Sequence, residues 1–299
     1  MLTINYIIDN QQEIIEKLRI KNFNAKALIT DNLLLDKKRR KLKGLIDSKQ
    51  AEMNNLSKQI GILFKNRQIN EANTAKEKTV TLKEEIKTLN SEFLEIEIKL
   101  NNKIVLIPNI PHSSVKQGKG EDDNEIIKTI DIKIKATENI PHWELTKKYD
   151  IIDFDLGNKL TGAGFPVYKG KGAKLQRALI NFFLYEAEKA GYNEIMPPIM
   201  VNADSGFGTG QLPDKEGQMY YVEVDNLYLI PTAEVPITNI YRDVILSDND
   251  FPIKHTAYTP CFRREAGSYG KDVRGLNRLH QFDKVEVVQI QHPDKSYET

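Results

Sequence analysis

The 299-residue sequence predicts a two-part α+β chain: an antiparallel helical hairpin, then a domain built on a largely antiparallel sheet flanked by helices. Three observations predict it. Apolar residues repeat at heptad spacing, without a proline, through residues 28–64 and again through 82–100. Prolines, glycines and acids then crowd into "LIPNIPHSSVKQGKGEDDNEI" from Leu106. Beyond that stretch, short apolar runs surround one long helical pattern.

In the first helix Leu28, Leu35, Leu42, Leu56 and Leu63 share one heptad position, interrupted by Lys49, while Ile46, Met53 and Ile60 share a second. Such a helix is about 55 Å long at 1.5 Å per residue. After a polar break near "NRQINEANT", Leu82, Ile86, Leu89, Phe93, Ile96 and Leu100 step by alternating four and three. Two seams joined by a short link make an antiparallel coiled-coil hairpin, and the first domain is drawn as residues 1–110. Residues 1–110 carry 20 Lys+Arg against 14 Asp+Glu, with lysine-rich outer faces. Composition alone favours a solvated spacer or dimerisation arm over one that lies on a phosphate backbone.

The second domain, 111–299, opens on the linker and the strand-like "KTIDIKI". A half-buried helix follows, marked by Leu175, Leu179, Phe182, Phe183 and Glu186 and stopped by Gly191. "IMPPIM", "QMYYVEV" and "LYLIPTAE" read as short strands. "IKHTAYT" from Ile253 and "HQFDKVEVVQI" from His280 read as an antiparallel pair across a loop rich in glycine and charge.

Net charge is +1, so no global field points to a nucleic acid or a membrane. The single cysteine, Cys261, allows no intramolecular disulfide and suits a reducing compartment, where a packed thiol is a better reading than a nucleophile. No secretory signal and no apolar run of ~20 residues is present, which predicts a cytoplasmic protein without a membrane partner. Dinucleotide, P-loop, HExxH and CxxC spacings are missing, and His112, His142, His255, His280 and His292 show no metal-ligand spacing, so structural roles are expected for them.

Three stretches place charge on strands or strand ends: "PTAE" from Pro231, "FRRE" from Phe262 and "HQFDKVE" from His280. Period-two alternation puts Phe282, Lys284 and Glu286 on one face of the last. A ring and a carboxylate there suit a ligand pocket; an exposed sheet face with cross-strand pairs explains the same letters. A guanidinium at a strand end suits phosphate or carboxylate, and an ion pair of Arg263 or Arg264 with Glu265 is the plainer alternative.

Taken together, in this order and spacing, the stretches resemble seryl-tRNA synthetase, a class II aminoacyl-tRNA synthetase, through essentially the whole chain. "GYNEIMPP" is similar to the class II first motif, with Pro198 as its proline. "TGQLP", "NLYLIPTAE" and "TPCFRREAGSYGKDVRGLNRLHQFDKVE", which holds the second motif, are near letter-for-letter matches. The resemblance implies ATP-dependent serine–tRNA ligation through a seryl-adenylate. It implies that Arg263 bridges the serine carboxylate and the α-phosphate, as the catalytic residue. Glu265 then reads adenine, Phe282 stacks on it, and Arg264 and Arg278 stand on the ATP side. Thr232, Glu234 and Glu286 belong to the serine site, where a carboxylate meeting the hydroxyl would reject alanine by ~10⁴–10⁵. The hairpin becomes the arm that grips tRNA(Ser), charging of tRNA(Sec) being left open, and the loop Ala266–Gly275 approaches the acceptor end. A homodimer built on the first motif is implied as well.

The family's third motif, the Mg²⁺ ligands and the last serine-pocket residue would lie beyond Thr299, so the sequence resembles a C-terminally truncated member with little activity by itself, and no metal ligand is assigned. Gly164 in "TGAGF" stands where many relatives carry arginine and is read as lineage variation. Two other classes compete. One is a non-catalytic synthetase-like binding module. The other is an AMP-forming amino acid ligase acting on a carrier protein, which should lack the long hairpin.

Overall fold

The computed structural model describes residues 2–131, 139–214, 216–265 and 274–299. It divides into two compact units, Met1–Asp131 and Ile132–Thr299. The first begins with α1 (Ile4–Asp9), capped by the Thr3 hydroxyl, and α2 (Gln11–Ile20). Six and ten residues long, they hold too few apolar repeats to stand out in sequence. The hairpin is α3 (Lys26–Lys65) and α4 (Ile69–Ile104). Ile7, Ile14, Leu18, Ala25, Ile29 and Ile107 form a core at its base, each buried Ile or Leu contributing about 1.5–3 kcal/mol.

At 40 residues α3 is about 60 Å long. The turn consumes only residues 66–68, and the rest of the predicted polar break is helical. It holds no proline or glycine, and Ala72 and Ala75 continue the buried seam there. Asp31–Lys103 (2.5 Å), Arg39–Glu97 (3.8 Å) and Lys49–Glu85 (2.6 Å) fix the antiparallel register. Lys49, the interruption in the leucine row, thus keeps a seam position, and its hydrogen bond to Glu85 raises its pKa.

At the hairpin's base the seam departs from the leucine row. Asn32 and Asp36 are buried there, 0% and 2% exposed, while Leu28 and Leu35 stand half-buried beside it. A straight α-helix drifts ~20° per heptad against a strict seven-residue repeat. A row aligned with the outer half of the arm therefore slips off the contact line at the inner end. Asp36 accepts from Arg39 Nε (3.1 Å) and Nη2 (2.8 Å) and from Arg40 Nε (2.6 Å).

The stretch read as a linker folds back on this unit: Lys21 Nζ donates to the Asn109 carbonyl (3.1 Å) and Asn22 Nδ2 to that of Gly118 (2.7 Å). Of the strand expected at "KTIDIKI", Lys128–Asp131 form none, and the remainder lies outside the described residues. Ile126, Ile127 and Ile130 are exposed, so no apolar face is buried to hold a strand there.

The second unit begins with α5 (His142–Lys148), then pairs β1 (Ile152–Asp153) with β2 (Val167–Tyr168) around α6 (Phe154–Leu160). The long helix is α7 (Gly170–Lys189). It forms as predicted, but on a different face: Leu175, Leu179, Phe182 and Phe183 are 43–56% exposed. The inward stripe is Gly172, Ala173, Gln176, Ile180, Leu184 and Ala187; Gly172 closes on the Ile151 carbonyl and Gln176 reaches the sheet at Asp283. That sheet is β3 (Asn193–Glu194) parallel to β7 (Ile253–Phe262), and β7 antiparallel to β8 (Gln281–Ile290). A second sheet holds β4 (Met200–Val201), β6 (Leu227–Leu229) and β5 (Tyr221–Val222), all antiparallel neighbours. Residues 195–199 of "IMPPIM" are not in a strand; the proline pair at 197–198 removes two ladder donors. The short helices α8 (Ala203–Gly208) and α9 (Glu234–Asn239) complete the unit.

On the α7 side of the main sheet, Asp283 accepts from Tyr258 Oη (2.8 Å) and Gln176 Nε2 (2.9 Å). Burial, then the Asp283 carboxylate, push the Tyr258 phenol up to about 12. An unfolded tyrosine ionises near ~10, so the folded state favours the neutral phenol. The stability this contributes is complete below pH ~10 and is lost as pH rises toward 12. Unfolding free energy should therefore fall more steeply across that window in the parent than in Tyr258→Phe. At the hairpin base, Asp36→Ala removes the acceptor that Arg39 and Arg40 share while leaving them Glu97 and Asn5, and should lower stability to urea by about 1 kcal/mol; an unchanged midpoint would make the cluster a bystander.

Candidate active site

The β7–β8 register sets Ala257 opposite Glu286, Thr259 opposite Lys284 and Cys261 opposite Phe282. These share the face away from α7. Ala233 and Ile237 of the α9 segment pack on Ala257 and cover its inner part. The outer part, with Phe282, stays accessible to a cleft. Two chain connections bring further residues to that cleft. Phe262 N donates to the Ile230 carbonyl (2.9 Å), which places Pro231 and Thr232 beside the end of β7. Arg264 N donates to the Gln218 carbonyl (2.9 Å), and Asp214 closes the turn beneath by accepting from Gln218 N (3.0 Å) and Met219 N (2.8 Å).

Two adjoining cavities result. One of about 290 Å³ is lined by Gln211, Glu216, Gln218, Thr232, Arg263, Glu265 and Arg278, with Pro231. The other, about 260 Å³, is lined by Phe282, Leu276, Asn277 and Leu279 together with the same Arg263, Glu265 and Arg278. Arg263 therefore stands where the two meet. Its amide donates to the His280 carbonyl (3.0 Å), and its guanidinium lies 5.2 Å from the Phe282 ring centroid.

Of the sequence candidates, Thr232, Arg263, Glu265, Arg278 and Phe282 line these cavities. Glu265 adopts a left-handed backbone (φ 49°) and accepts from Arg278 Nη1 at 3.1 Å. The alternative of an ion pair to Glu265 is thus realised by Arg278, thirteen residues on, and not by Arg263 or Arg264. Glu286 joins the group through Thr232, whose Oγ1 donates to Glu286 Oε2 at 2.6 Å. Lys284 Nζ reaches Thr232 Oγ1 (3.0 Å) and forms an ion pair with Glu286 Oε2.

Two candidates sit elsewhere. Arg264 lines neither cavity: its Nε donates to the Met219 carbonyl (3.1 Å) and its guanidinium lies over Tyr220 (5.1 Å). Successive residues at a strand end point to opposite sides, so Arg263 and Arg264 cannot both face the cleft. Glu234 is exposed at the first turn of α9. The loop expected at the acceptor end, Ala266–Gly275, falls largely on residues 266–273, outside the described residues.

Lys284, Gln211, Glu216 and Gln218 escaped the sequence reading. Alternation already put Lys284 on the Phe282–Glu286 face, and that was the available signal. Glu286 consequently does not wait unpaired. Gly164 also gains a physical reason. At φ 83°, with His280 N donating to its carbonyl (2.9 Å), a Cβ there would sit 2.4 Å from His280 Cδ2. His280 in turn contacts Tyr220 Oη through Nδ1 (2.7 Å) and stacks on Phe165.

Cys261 is buried beside Thr259, and burial raises its thiol pKa, which fits a packed side chain. Among the described residues no group of three or more His, Cys, Asp or Glu converges to hold a metal. No described helix is long and apolar enough to cross a membrane.

Residues 1–111 match the Seryl-tRNA synthetase N-terminal domain, and residues 220–299 match the tRNA synthetase class II core domain (G, H, P, S and T). The serine–tRNA ligase of Salinibacter ruber is 46% identical over 298 residues, covering 99% of this chain and 70% of that protein. That of Methylacidiphilum infernorum is 44% identical, with 99% and 70% covered. Among solved structures, seryl-tRNA synthetase from Pyrococcus horikoshii complexed with ATP superposes with a TM-score of 0.79 at 29% identity, covering all of this chain and 71% of that one. The cytoplasmic serine–tRNA ligase of Naegleria fowleri in complex with AMP gives 0.76 at 25% identity, covering 100% and 69%. The chain thus spans about 70% of the length of these relatives. The matches run from one end of the chain to the other: it belongs to the seryl-tRNA synthetase family.

Proposed function

We propose that the chain serves serine–tRNA ligation, with L-serine and ATP meeting at Arg263. The observation that carries this is the position of that guanidinium, common to a cavity that reaches Thr232 and one that reaches Phe282. Serine's carboxylate forms a bond to the α-phosphorus while the bond to the departing pyrophosphate breaks. The 3′-terminal hydroxyl of tRNA(Ser) then attacks the acyl carbon of the seryl-adenylate, forming the ester and releasing AMP. Charge on the carboxylate and α-phosphate is what a forked, permanently cationic side chain on a strand end can hold. Adenine would stack on Phe282, with Glu265 held by Arg278 to read its edge and Arg278 on the triphosphate side. Arg264 would support the turn at Met219 instead of touching ATP.

The serine side would consist of Thr232, Lys284 and Glu286, with Glu234 at its margin. Thr232 and Lys284 both meet Glu286 at Oε2, so Oε1 would accept from the substrate hydroxyl. Because Lys284 and Thr232 already support this carboxylate, alanine would not strand it completely. Discrimination should therefore fall short of the ~10⁴–10⁵ set by a fully orphaned group. Mg²⁺ would accompany the nucleotide; the described residues offer no converging ligand set for it, and no step is assigned to it.

The division of labour would follow residues 1–110 for tRNA and 111–299 for catalysis. Lys37, Lys38, Lys41, Lys58, Lys76, Lys83 and Lys87 are exposed along the hairpin, which suits contact with tRNA phosphates. This arm also disfavours a ligase acting on carrier proteins. A homodimer in the cytoplasm would cover the exposed apolar face of α7, Leu175, Leu179, Phe182 and Phe183.

Equilibrium dialysis tests the pocket. Glu286→Ala should weaken serine binding about 10- to 100-fold, the worth of a charged hydrogen bond, with ATP binding nearly unchanged. Equal losses for both ligands would remove Glu286 from the amino-acid side. For the arm, residues 50–84 can be replaced by a short glycine linker between the facing Lys49 and Glu85. Binding to tRNA(Ser) should fall at least ~100-fold and lose most of its salt dependence, while serine and ATP still bind. Undiminished tRNA affinity would exclude the hairpin.

A further inference from the structure

The segment that returns to β8 from residue 274 supplies Leu276, Asn277, Arg278 and Leu279 to the Phe282 cavity. Something must fix that segment, because it enters from outside the sheet and only Gln281 begins the strand. The contact lies at the first turn of α5. Leu276 N donates to His142 Nε2 at 2.8 Å. Gly275, at φ 72°, passes so close that a Cβ would meet the same Nε2 at 2.1 Å. Arg274 places its guanidinium 4.8 Å from the Trp143 ring centroid, within cation–π range. The two rings of the helix turn brace each other edge to face, centroids 5.0 Å apart.

We propose that His142 and Trp143 form a latch that docks residues 274–276 and thereby positions the cavity wall carrying Arg278. Three consecutive residues meet it in three different ways: a ring for the guanidinium, a gap that only glycine fits, and an acceptor for a backbone amide. His142 and Trp143 line neither cavity, so they are positioning residues. The hydrogen bond requires Nε2 as acceptor, which places the ring proton of neutral His142 on Nδ1. Seated in this way, the wall presents Arg278 to Glu265, in the cavity that Arg263 also lines. The positioning half of the proposal rests on reading this cavity as the nucleotide site; the latch does not.

Trp143 is the only tryptophan in the chain, so its fluorescence reports the latch directly, in the 299-residue protein without ligand. Acrylamide quenching of Trp143 and dialysis against ATP are to be measured in the parent, His142→Ala, His142→Gln, Gly275→Ala and Arg274→Ala. Undocking should raise the quenching constant in His142→Ala and Gly275→Ala. Arg274→Ala, a change at an exposed side chain, should do so without risk to folding. The glutamine amide oxygen can replace the Nε2 acceptor, so His142→Gln should stay close to the parent. ATP affinity should fall about fivefold in His142→Ala, the size of one ordinary hydrogen bond, and further in Gly275→Ala. Unaltered quenching in all variants would overturn the latch. Raised quenching with unchanged ATP affinity would overturn its positioning role. If the parent binds no ATP, the nucleotide reading fails while quenching still decides the latch.

Discussion

Everything at the cleft depends on the pairing of β7 with β8. Ten consecutive residue pairs leave no freedom in register, and a slip of one would turn Phe282, Lys284 and Glu286 toward α7. Both faces resist such a slip. On one, Asp283 is held by Tyr258 and Gln176; on the other, Ala257 lies under Ala233 and Ile237. The same pairing puts the His280 carbonyl within reach of the Arg263 amide. The orientation of the central guanidinium is thus inherited from a hydrogen-bond ladder, not from a loop.

The cleft itself is assembled from pieces distant in sequence. Gln211, Glu216, Gln218, Pro231 and Thr232 come from segments flanking the smaller sheet, Arg263, Glu265 and Arg278 from segments flanking β7 and β8, and Phe282 from β8 itself. His280 joins them: its amide meets Gly164, its carbonyl meets Arg263 and its ring meets Tyr220. Residue 164 must be glycine in this arrangement, because the backbone is left-handed and the imidazole fills the space of a side chain. The two limbs around residues 266–273 are fixed separately, one by Gln218 and His280, the other by His142. Arg263 and Arg278 can then face one cleft from two anchored stems.

The first unit obeys a different logic. Its outer arm is held by an apolar seam a few side chains wide, and its base by a cluster of helices around Ile7 and Ile14. Between them lie buried Asn32 and Asp36. Their bonds stay within α3: Asn32 Nδ2 donates to the Leu28 carbonyl and Asp36 accepts from Arg39 and Arg40. Register between the two helices is carried by the crossing pairs at Asp31, Arg39 and Lys49.

Period, alternation and one short polar link determined the hairpin, its antiparallel sense, the strands β7 and β8 and the common face of Phe282, Lys284 and Glu286. These are local properties: a heptad or a two-residue repeat is written in consecutive letters. Resemblance supplied the grouping of Thr232, Arg263, Glu265 and Arg278, which no periodicity contains. Only the tertiary structure decided the rest. It chose the stripe from Gly172 to Ala187 of α7 over its aromatic one, because Gly172 must close on the Ile151 carbonyl and Gln176 must reach Asp283. It sent Arg264 to Met219 and Tyr220, gave Glu265 to Arg278 and added Lys284 to Glu286. Each of these outcomes depends on which distant segment arrives beside a residue, and that is a property of packing that no short run of sequence records.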